Sequence, residues 1–379
     1  MGTPTVIAPE AIFLVGEFGL PEEKVAVVAA LSSHATAQYC CDVVAPSPLI
    51  AAVVERAKQQ LGEAAAALPP GSVLLSPAKP RDGEGLALDT AAAIAVATAA
   101  AVFETAGQSI FERRHEILAA AEAGHSAIHA GIGAEGELAA ALHGGLVKVV
   151  FQPHAAPRIE VLATPAGLHF VVFQTGNALF PADWLACVHQ FAKRYPTAYA
   201  QIIKDLLERA GRFAADLSEG NATAAIVSAG HYGHCITQLA AAVSAPMQSA
   251  PLLRAMELAK EIGGVAKTTS ASRSDLGIAM FATPEAARLF ARACQPPLVP
   301  LSVDLDRSGV RCLVVSRAAE SAAVHTPIPE TDPASISGQA IVRGFLDDSS
   351  TERTLSDPDR EPLPSPRRHS DPFRSPRWR

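Results

Sequence analysis

The stretch EIGGVAKTTSASRSDLGIAM, residues 261–280, has the outline of a phosphate-binding loop that has lost most of its glycines. A predicted helix ends at Gly263 and Gly264, a loop of small residues surrounds Lys267, and the apolar run after Asp275 predicts a strand. Glycine is favoured in such loops because it adopts positive φ and lets the backbone approach an anion closely. The stretch therefore leaves open whether this chain still binds phosphate.

Composition indicates a protein with a large core and no nucleic acid or membrane partner. The 379 residues are 49% hydrophobic, with a net charge of −7 and a pI near 6.0, so no strong positive field is available for nucleic acid or anionic lipid. The apolar stretch at 91–103 is too short to cross a bilayer and predicts a buried helix. Because the N-terminus lacks the pattern of a signal peptide and the six cysteines are scattered, we expect reduced thiols and a cytoplasmic protein.

The order of the predicted elements favours an α+β fold, because strands and helices mix without strict βαβ alternation. A turn rich in Pro and Gly, at 67–85, separates the first helix from the buried one. The predicted strands lie at 5–15, 24–39, 144–153, 158–176, 277–282, 298–306 and 309–317. The predicted helices lie at 47–65, 89–106, 109–130, after 136, and at 181–218, 221–243, 249–262 and 284–294.

From about residue 326 the chain becomes rich in Pro, Ser, Asp and Arg and poor in apolar residues. Such a composition buries too little surface to offset the entropy of ordering, so we predict a disordered tail over 326–379. The tail ends in a basic stretch, PSPRRHSDPFRSPRWR. It is either a solvated end, which is the commoner outcome, or a segment that docks to a partner or supports a homodimer.

Four glycine-bearing segments occur in an order that carries more information than any one of them. They are APEAIFLVGE at 8–17, GEGLALDTAAA at 83–93, GIGAEGELAAALHGG at 131–145, and the stretch at 261–280. In this order they resemble the motifs of the GHMP small-molecule kinases, and among them most closely those of phosphomevalonate kinase. The pair Thr175 and Gly176, in FQTG, is also similar to a segment of that family.

The resemblance covers about residues 5–320 and implies a two-domain GHMP-kinase-like fold. An N-terminal mixed α/β domain would occupy 1–168, and a C-terminal ferredoxin-like α+β domain would occupy 169–325. The implied activity is ATP-dependent phosphorylation of a small isoprenoid precursor, with ATP and Mg²⁺ as cofactors and a small-molecule substrate as the partner. In such kinases a helix N-terminus binds the phosphates, an acid orients the acceptor, and a lysine neutralises charge.

Site residues follow from the resemblance position by position. Glu137 and Lys267 take the catalytic positions, with Glu137 where the family has aspartate. Glu17, Thr175 and Gly176 take substrate-binding positions. The nucleotide-binding positions fall on Gly85, Leu86, Ala87, Leu88, Asp89, Thr90, Ser272, Arg273 and Asp275.

The chain departs from the family pattern at several of these positions. Glu10 and Ala11 stand where the family has glycine and lysine in the opening strand, and Ala87, Leu88 and Asp89 replace Gly-Ser-Ser in the phosphate loop. The closing loop has Ser-Arg-Ser, residues 272–274, where the family has three glycines. Each lost charged hydrogen bond costs about 1.5–3 kcal/mol, so several losses weaken nucleotide binding severely.

Two interpretations of these departures stay open. Asp89 either caps the helix that follows it, or it replaces the missing serine as a Mg²⁺ ligand beside Thr90 while Arg273 binds phosphate as a guanidinium fork. The second interpretation predicts a working kinase. The first predicts a catalytically inactive protein with the kinase fold, which acts as a subunit or regulator.

Overall fold

The structure is a computed structural model that describes residues 3–17, 25–41, 46–76, 91–128, 135–152, 155–176, 184–243, 249–269 and 276–313. These residues belong to one compact unit, Met1–Arg317. They form two antiparallel sheets with helices packed against them, which confirms the predicted α+β class. The tail predicted at 326–379 lies outside the described residues, and the domain boundary near 168 stays a prediction.

Nineteen regular elements, and one short 3-10 helix at Gly62–Ala67, make up the described part of the chain. The strands are β1 Thr5–Val15, β2 Val25–Cys40, β3 Ser72–Ser76, β4 Leu146–Gln152, β5 Ala155–Leu162, β6 His169–Gln174, β7 Val265–Thr268, β8 Leu276–Phe281, β9 Val299–Pro300 and β10 Arg311–Leu313. The helices are α1 Pro48–Leu61, α2 Ala91–Thr105, α3 Arg114–Ile128, α4 Glu135–His143, α5 Trp184–Arg194, α6 Pro196–Ser218, α7 Ala222–Ala242, α8 Ala250–Glu261 and α9 Pro284–Ala293.

The first sheet runs in the order β10-β1-β2-β4-β5, and β3 also pairs with β2. Strand β1 is buried along nearly all of its length, because its two faces are both covered. On one side Ala11 and Phe13 pack against α4, and on the other Ile12 and Leu14 belong to the core that α6 and α7 complete. A nearly continuous apolar run is what a strand buried on both faces requires.

The second sheet runs in the order β7-β8-β6-β9. Its strand β8 is buried at every position. Three aromatic rings hold α9 to this sheet: the ring of Phe290 lies 5.6 Å from that of Phe173 and 5.4 Å from that of Phe281, centroid to centroid. Such tilted contacts add to the free energy gained by burying the rings.

The predicted buried helix is confirmed in α2, where Val96, Val102, Phe103 and all the alanines after Ala91 are buried. Alanine side chains let α2 approach β1, β2 and three other helices closely. No helix in the described ranges combines the length and apolarity needed to cross a membrane.

The segment before β10 is tied to the first sheet by a cluster around Asp306, which we call the Asp306 cluster. The Asp306 carboxylate lies 2.5 Å from His34 Nε2 on β2 and accepts hydrogen bonds from Arg311 Nη1 at 2.9 Å and from the N–H groups of Ser308 and Gly309 at 2.8 and 3.0 Å. Burial alone would raise the pKa of Asp306, but these contacts outweigh it and hold the pKa well below its usual range.

Several predicted elements were wrong in their bounds. The residues around Lys267 form the strand β7 rather than a loop, and the turn predicted at 67–85 contains β3. The helix predicted over 181–218 is two helices, because Pro196 begins α6 and its ring cannot continue α5. The strand predicted at 298–306 shrinks to β9, and the described part of the strand predicted at 309–317 contains β10. The run predicted at 158–176 supplies one strand to each sheet.

Candidate active site

Two predicted site residues from distant parts of the chain meet inside the protein. Lys267 Nζ on β7 donates a hydrogen bond of 2.7 Å to Glu17 Oε1, just beyond the end of β1. The two side chains are 2% and 0% exposed. Lys267 also donates to the carbonyl oxygen of Thr268 at 2.6 Å. The structure therefore places Lys267 in a buried ion pair, and its catalytic role stays a prediction.

Tyr232 on α7 completes this contact and was not predicted. The N–H of Gly16 donates to the Tyr232 hydroxyl at 2.9 Å, and Lys267 Nζ lies 5.4 Å from the centroid of the tyrosine ring. The hydroxyl also lies close enough to the Glu17 carboxyl to act towards a lower pKa of Glu17. Tyr232 thus contacts both the end of β1 and the Lys267 side chain on β7.

Burial dominates the electrostatics of the pair. It raises the pKa of Glu17 above its usual value, although the Lys267 ammonium and the Tyr232 hydroxyl act in the opposite direction. Burial likewise lowers the pKa of Lys267, against the effect of Glu17. Both directions reflect the free energy needed to remove two charges from water.

A second hydrogen bond joins the same two strands. The hydroxyl of Thr269, which follows β7 directly, donates to the carbonyl oxygen of Phe13 in β1 at 2.6 Å. Strand β10 pairs with β1 only at Thr5–Ile7, so the edge of β1 near Phe13 is open to this contact. We call the group Phe13, Gly16, Glu17, Tyr232, Lys267 and Thr269 the β1–β7 junction.

Helix α7 reaches the junction because two of its residues lack side chains. A Cβ on Gly233 would lie 3.1 Å from Lys267 Cβ, and one on Gly230 would lie 2.9 Å from Val265 Cγ1. Both glycines therefore let α7 approach β7 closely enough for Tyr232 to lie against Lys267. Each glycine destabilises the helix by roughly 0.5–1 kcal/mol relative to alanine.

Glu137 lies in the first turn of α4, and Gly136 before it brings the helix onto the first sheet. A Cβ on Gly136 would lie 2.8 Å from Val28 Cγ2 and 3.2 Å from Phe13 Cε1. Phe13 therefore contacts the start of α4 through its ring and the end of β7 through its carbonyl oxygen. Phe13 thus contacts both the helix that carries Glu137 and the residue that follows β7.

The remaining predicted residues divide into two groups. Thr175 is completely buried, and Gly176 after it has φ of 67° and would meet Pro297 Cβ at 2.9 Å if it carried a Cβ. Their substrate-binding role stays a prediction. The second group consists of the predicted nucleotide-binding and metal-binding residues, which all lie outside the described residues: Gly85, Leu86, Ala87, Leu88, Asp89, Thr90, Ser272, Arg273 and Asp275.

The departures in β1 have a visible consequence. Glu10 and Ala11, where the resembled kinases have glycine and lysine, are both buried, and Ala11 packs in the cluster that contains Ala139 and Ala140 of α4. The alanine at this position therefore serves the contact between β1 and α4. A solvent-facing cation is missing from this position of the strand.

The described residues do not provide a complete metal site of their own. Within the described ranges, no three His, Cys, Asp or Glu side chains are grouped so that they could hold a metal ion. Glu122 and Glu135 are close enough for the charge of Glu135, together with burial as the larger cause, to raise the pKa of Glu122. The Mg²⁺ ligand predicted at Asp89 stays a prediction.

No protein-family model matches the chain, and no curated protein matches it in sequence. Its fold, in contrast, matches many solved structures. A Listeria innocua protein is 16% identical with a TM-score of 0.68, and the match covers 82% of this chain and 99% of that chain. The chain therefore shares its fold with a solved protein over most of its length.

The class defined by these matches is the GHMP-kinase fold, which confirms the α+β fold that the resemblance implied. Streptococcus pneumoniae phosphomevalonate kinase is 15% identical with a TM-score of 0.65, and the match covers 80% of this chain and all, 100%, of that chain. L. major mevalonate kinase, solved with R-mevalonate, is 16% identical with a TM-score of 0.59, covering 81% of this chain and 97% of that one. The streptococcal enzyme has also been solved with phosphomevalonate and AMPPNP.

Proposed function

We propose that the chain is an ATP-dependent phosphotransferase that phosphorylates a small isoprenoid precursor, with mevalonate 5-phosphate as the first candidate acceptor. The position of Glu137 carries the proposal. It lies in the first turn of a helix that Gly136 brings against β1, and it corresponds to the family's catalytic acid in the motif that ends in Gly144 and Gly145. The fold shared with phosphomevalonate and mevalonate kinases supports the same class of reaction.

Glu137 has the chemistry that the transfer needs. A carboxylate beside the acceptor hydroxyl orients it and accepts its proton as the phosphoryl group moves. ATP would be held by residues 85–90 at the start of α2 and by Ser272, Arg273 and Asp275, and the acceptor near Thr175 and Gly176. Mg²⁺, held through Asp89, supplies neutralisation of the phosphate charge when bound.

A second function has its own supporting observation. Ala11 is buried where the resembled kinases have a lysine, and Lys267 is held by Glu17. If position 11 supplies no cation and Lys267 does not reach the phosphates, the chain is a kinase-fold protein that acts as a subunit or regulator without catalysis. A protein with this regulatory role would keep the kinase fold but would not bind nucleotide.

Calorimetric titration of Mg-ATP into the full chain separates the two functions. Micromolar binding, weakened in Asp89→Ala, supports the enzyme. Absence of heat at millimolar Mg-ATP, with binding gained in Asp89→Ser, contradicts the enzyme and supports the inactive alternative.

The catalytic role of Glu137 is tested by phosphoryl transfer to mevalonate 5-phosphate. We expect Glu137→Gln to lower kcat by about 10²–10⁴-fold, the usual contribution of a general base. Glu135→Gln is the matched control, because Glu135 lies in the same first turn of α4. Equal activity of the two variants would contradict the assignment of Glu137.

A further inference from the structure

The β1–β7 junction already supplies the contacts that the Lys267 ammonium needs. Two of its three N–H groups are used by Glu17 and by the Thr268 carbonyl oxygen, and the ring of Tyr232 lies 5.4 Å away. A phosphate could bind Lys267 only by leaving the Glu17 carboxylate buried without its cation. That exchange is unfavourable, so the arrangement points away from direct contact with phosphate.

Stability alone does not explain a buried ion pair at this place. Replacing such a pair by apolar residues of similar volume is often neutral or stabilising, because the desolvation of both charges cancels their attraction. What a buried pair does provide is a single satisfied geometry, since a small displacement leaves a charge unpaired in a medium of low dielectric constant. The Glu17–Lys267 pair is therefore suited to fixing a distance.

Tyr232 extends this geometry to a third element. Its hydroxyl accepts a hydrogen bond from the N–H of Gly16, and its ring centroid lies 5.4 Å from Lys267 Nζ. A change in the separation of the ends of β1 and β7 therefore also breaks contacts to α7. Two residues after Lys267, the hydrogen bond from Thr269 to the Phe13 carbonyl oxygen joins the end of β7 to β1 a second time.

We infer that Glu17, Lys267 and Tyr232 are positioning residues, which fix the end of β1 relative to the end of β7 and thereby set the affinity for Mg-ATP. The inference rests on the proposed function, because β7 leads directly into the residues predicted to contact the nucleotide. It gives Lys267 and Glu17 a role different from those that their positions in the sequence motifs predict.

The first test compares two buried tyrosines in the full chain. Tyr232→Phe removes the hydroxyl at the junction, and Tyr39→Phe removes one that donates to the carbonyl oxygens of Pro69 and Gly71 far from it in the first sheet. We expect Tyr232→Phe to raise KM for ATP about three- to tenfold with kcat nearly unchanged. In the unliganded protein, hydrogen exchange should become faster in peptides that cover 13–17 and 265–269. Tyr39→Phe should lower Tm and leave both readouts unchanged.

A purely structural role gives a different result. If Tyr232→Phe lowers Tm but leaves KM for ATP and the exchange of both peptides as in the wild type, the inference is overturned. The same holds if Tyr39→Phe changes KM as much as Tyr232→Phe does.

The second test separates positioning from catalysis by Lys267. Lys267→Met leaves Glu17 buried without a cation, whereas Lys267→Met combined with Glu17→Gln leaves no buried charge. We expect the double variant to recover most of the kcat and KM lost in Lys267→Met. If kcat stays as low in the double variant as in Lys267→Met, Lys267 acts on the phosphoryl group itself and the inference is wrong.

Failure of the proposed function is distinguishable from failure of the inference. Absence of Mg-ATP binding by the wild type overturns the kinase and the link to affinity together. Hydrogen exchange then decides the rest: selectively faster exchange at 13–17 and 265–269 in Tyr232→Phe supports the fixed strand ends, and equal exchange in Tyr232→Phe and Tyr39→Phe refutes them.

Discussion

Replacing Asp306 by asparagine should destabilise the protein strongly at neutral pH and hardly at all in acid. The asparagine side chain would keep an oxygen for the N–H groups of Ser308 and Gly309, but its amide would present N–H groups to Arg311 and His34. Two charge-assisted contacts are lost, each worth about 1.5–3 kcal/mol. Because the Arg311 side chain is 36% exposed and water replaces part of its contact, we expect a total loss of about 2–3 kcal/mol.

The pH dependence follows from the direction of the shift in the pKa of Asp306. The folded pKa lies below the unfolded value of about 3.9. The ionised Asp306 carboxylate therefore makes its full contribution to the free energy of unfolding above about pH 4. This contribution is lost as the pH falls through the folded pKa, by up to about 1.4 kcal/mol per pH unit. The difference between wild type and Asp306→Asn should shrink accordingly below about pH 4.

Urea unfolding followed by circular dichroism at a series of pH values between neutral and strongly acidic measures both effects. Asp304→Asn is the matched control, because Asp304 lies on the same segment, is exposed, and bonds Ser32 through its backbone. It should change the free energy of unfolding by no more than about 0.5 kcal/mol. A deficit of Asp306→Asn that is constant from neutral to acid pH, or matched by Asp304→Asn, would refute the reasoning.

Three further changes test other parts of the structure through unfolding free energies and Tm. Gly211→Ala in α6, where an added Cβ meets nothing within 4 Å, should stabilise by about 0.5–1 kcal/mol; a lower Tm would show that the helix is not formed there. Gly264→Ala should destabilise by more than about 2 kcal/mol, because its Cβ would lie 2.3 Å from Phe281, and unchanged stability would contradict this packing. Lys267→Met should cost about 3–5 kcal/mol, and adding Glu17→Gln should restore most of it; simple additivity of the two losses would show that the side chains are not paired.

The parts of the fold that follow from long or strongly patterned segments could be predicted from the sequence. Helix α2 is apolar all round and too short for a membrane, and α7 and α8 begin at the capping residues Asn221 and Ser249. The architecture itself came from the order of four motifs, not from the pattern of any one segment. Pro196 shows the opposite case, because the helical pattern on both sides of it hid the break between α5 and α6.

The candidate site was harder to predict, because its contacts join residues far apart in the chain. Strand β7 has four residues between glycines and small polar residues, so local pattern favoured a loop around Lys267. Tyr232 lies in an apolar helix with no feature that marks it, and its contacts with Gly16 and Lys267 join residues far apart in the sequence. The nearest sequence signal is the pair Gly230 and Gly233, which marks close approach of another element but does not identify it.

The pairing of β1 with β10 has a consequence for synthesis of the chain. Thr5 pairs with Leu313, so β1 receives this neighbour only after almost all of the described chain has been made. At about 5–20 residues per second, that interval is on the order of 15–60 s. Throughout it, an apolar strand presents an unpaired edge, which is the kind of surface that associates with other nascent chains. A chaperone that binds extended apolar segments should therefore engage residues 5–15 early and release them when residues 311–313 emerge.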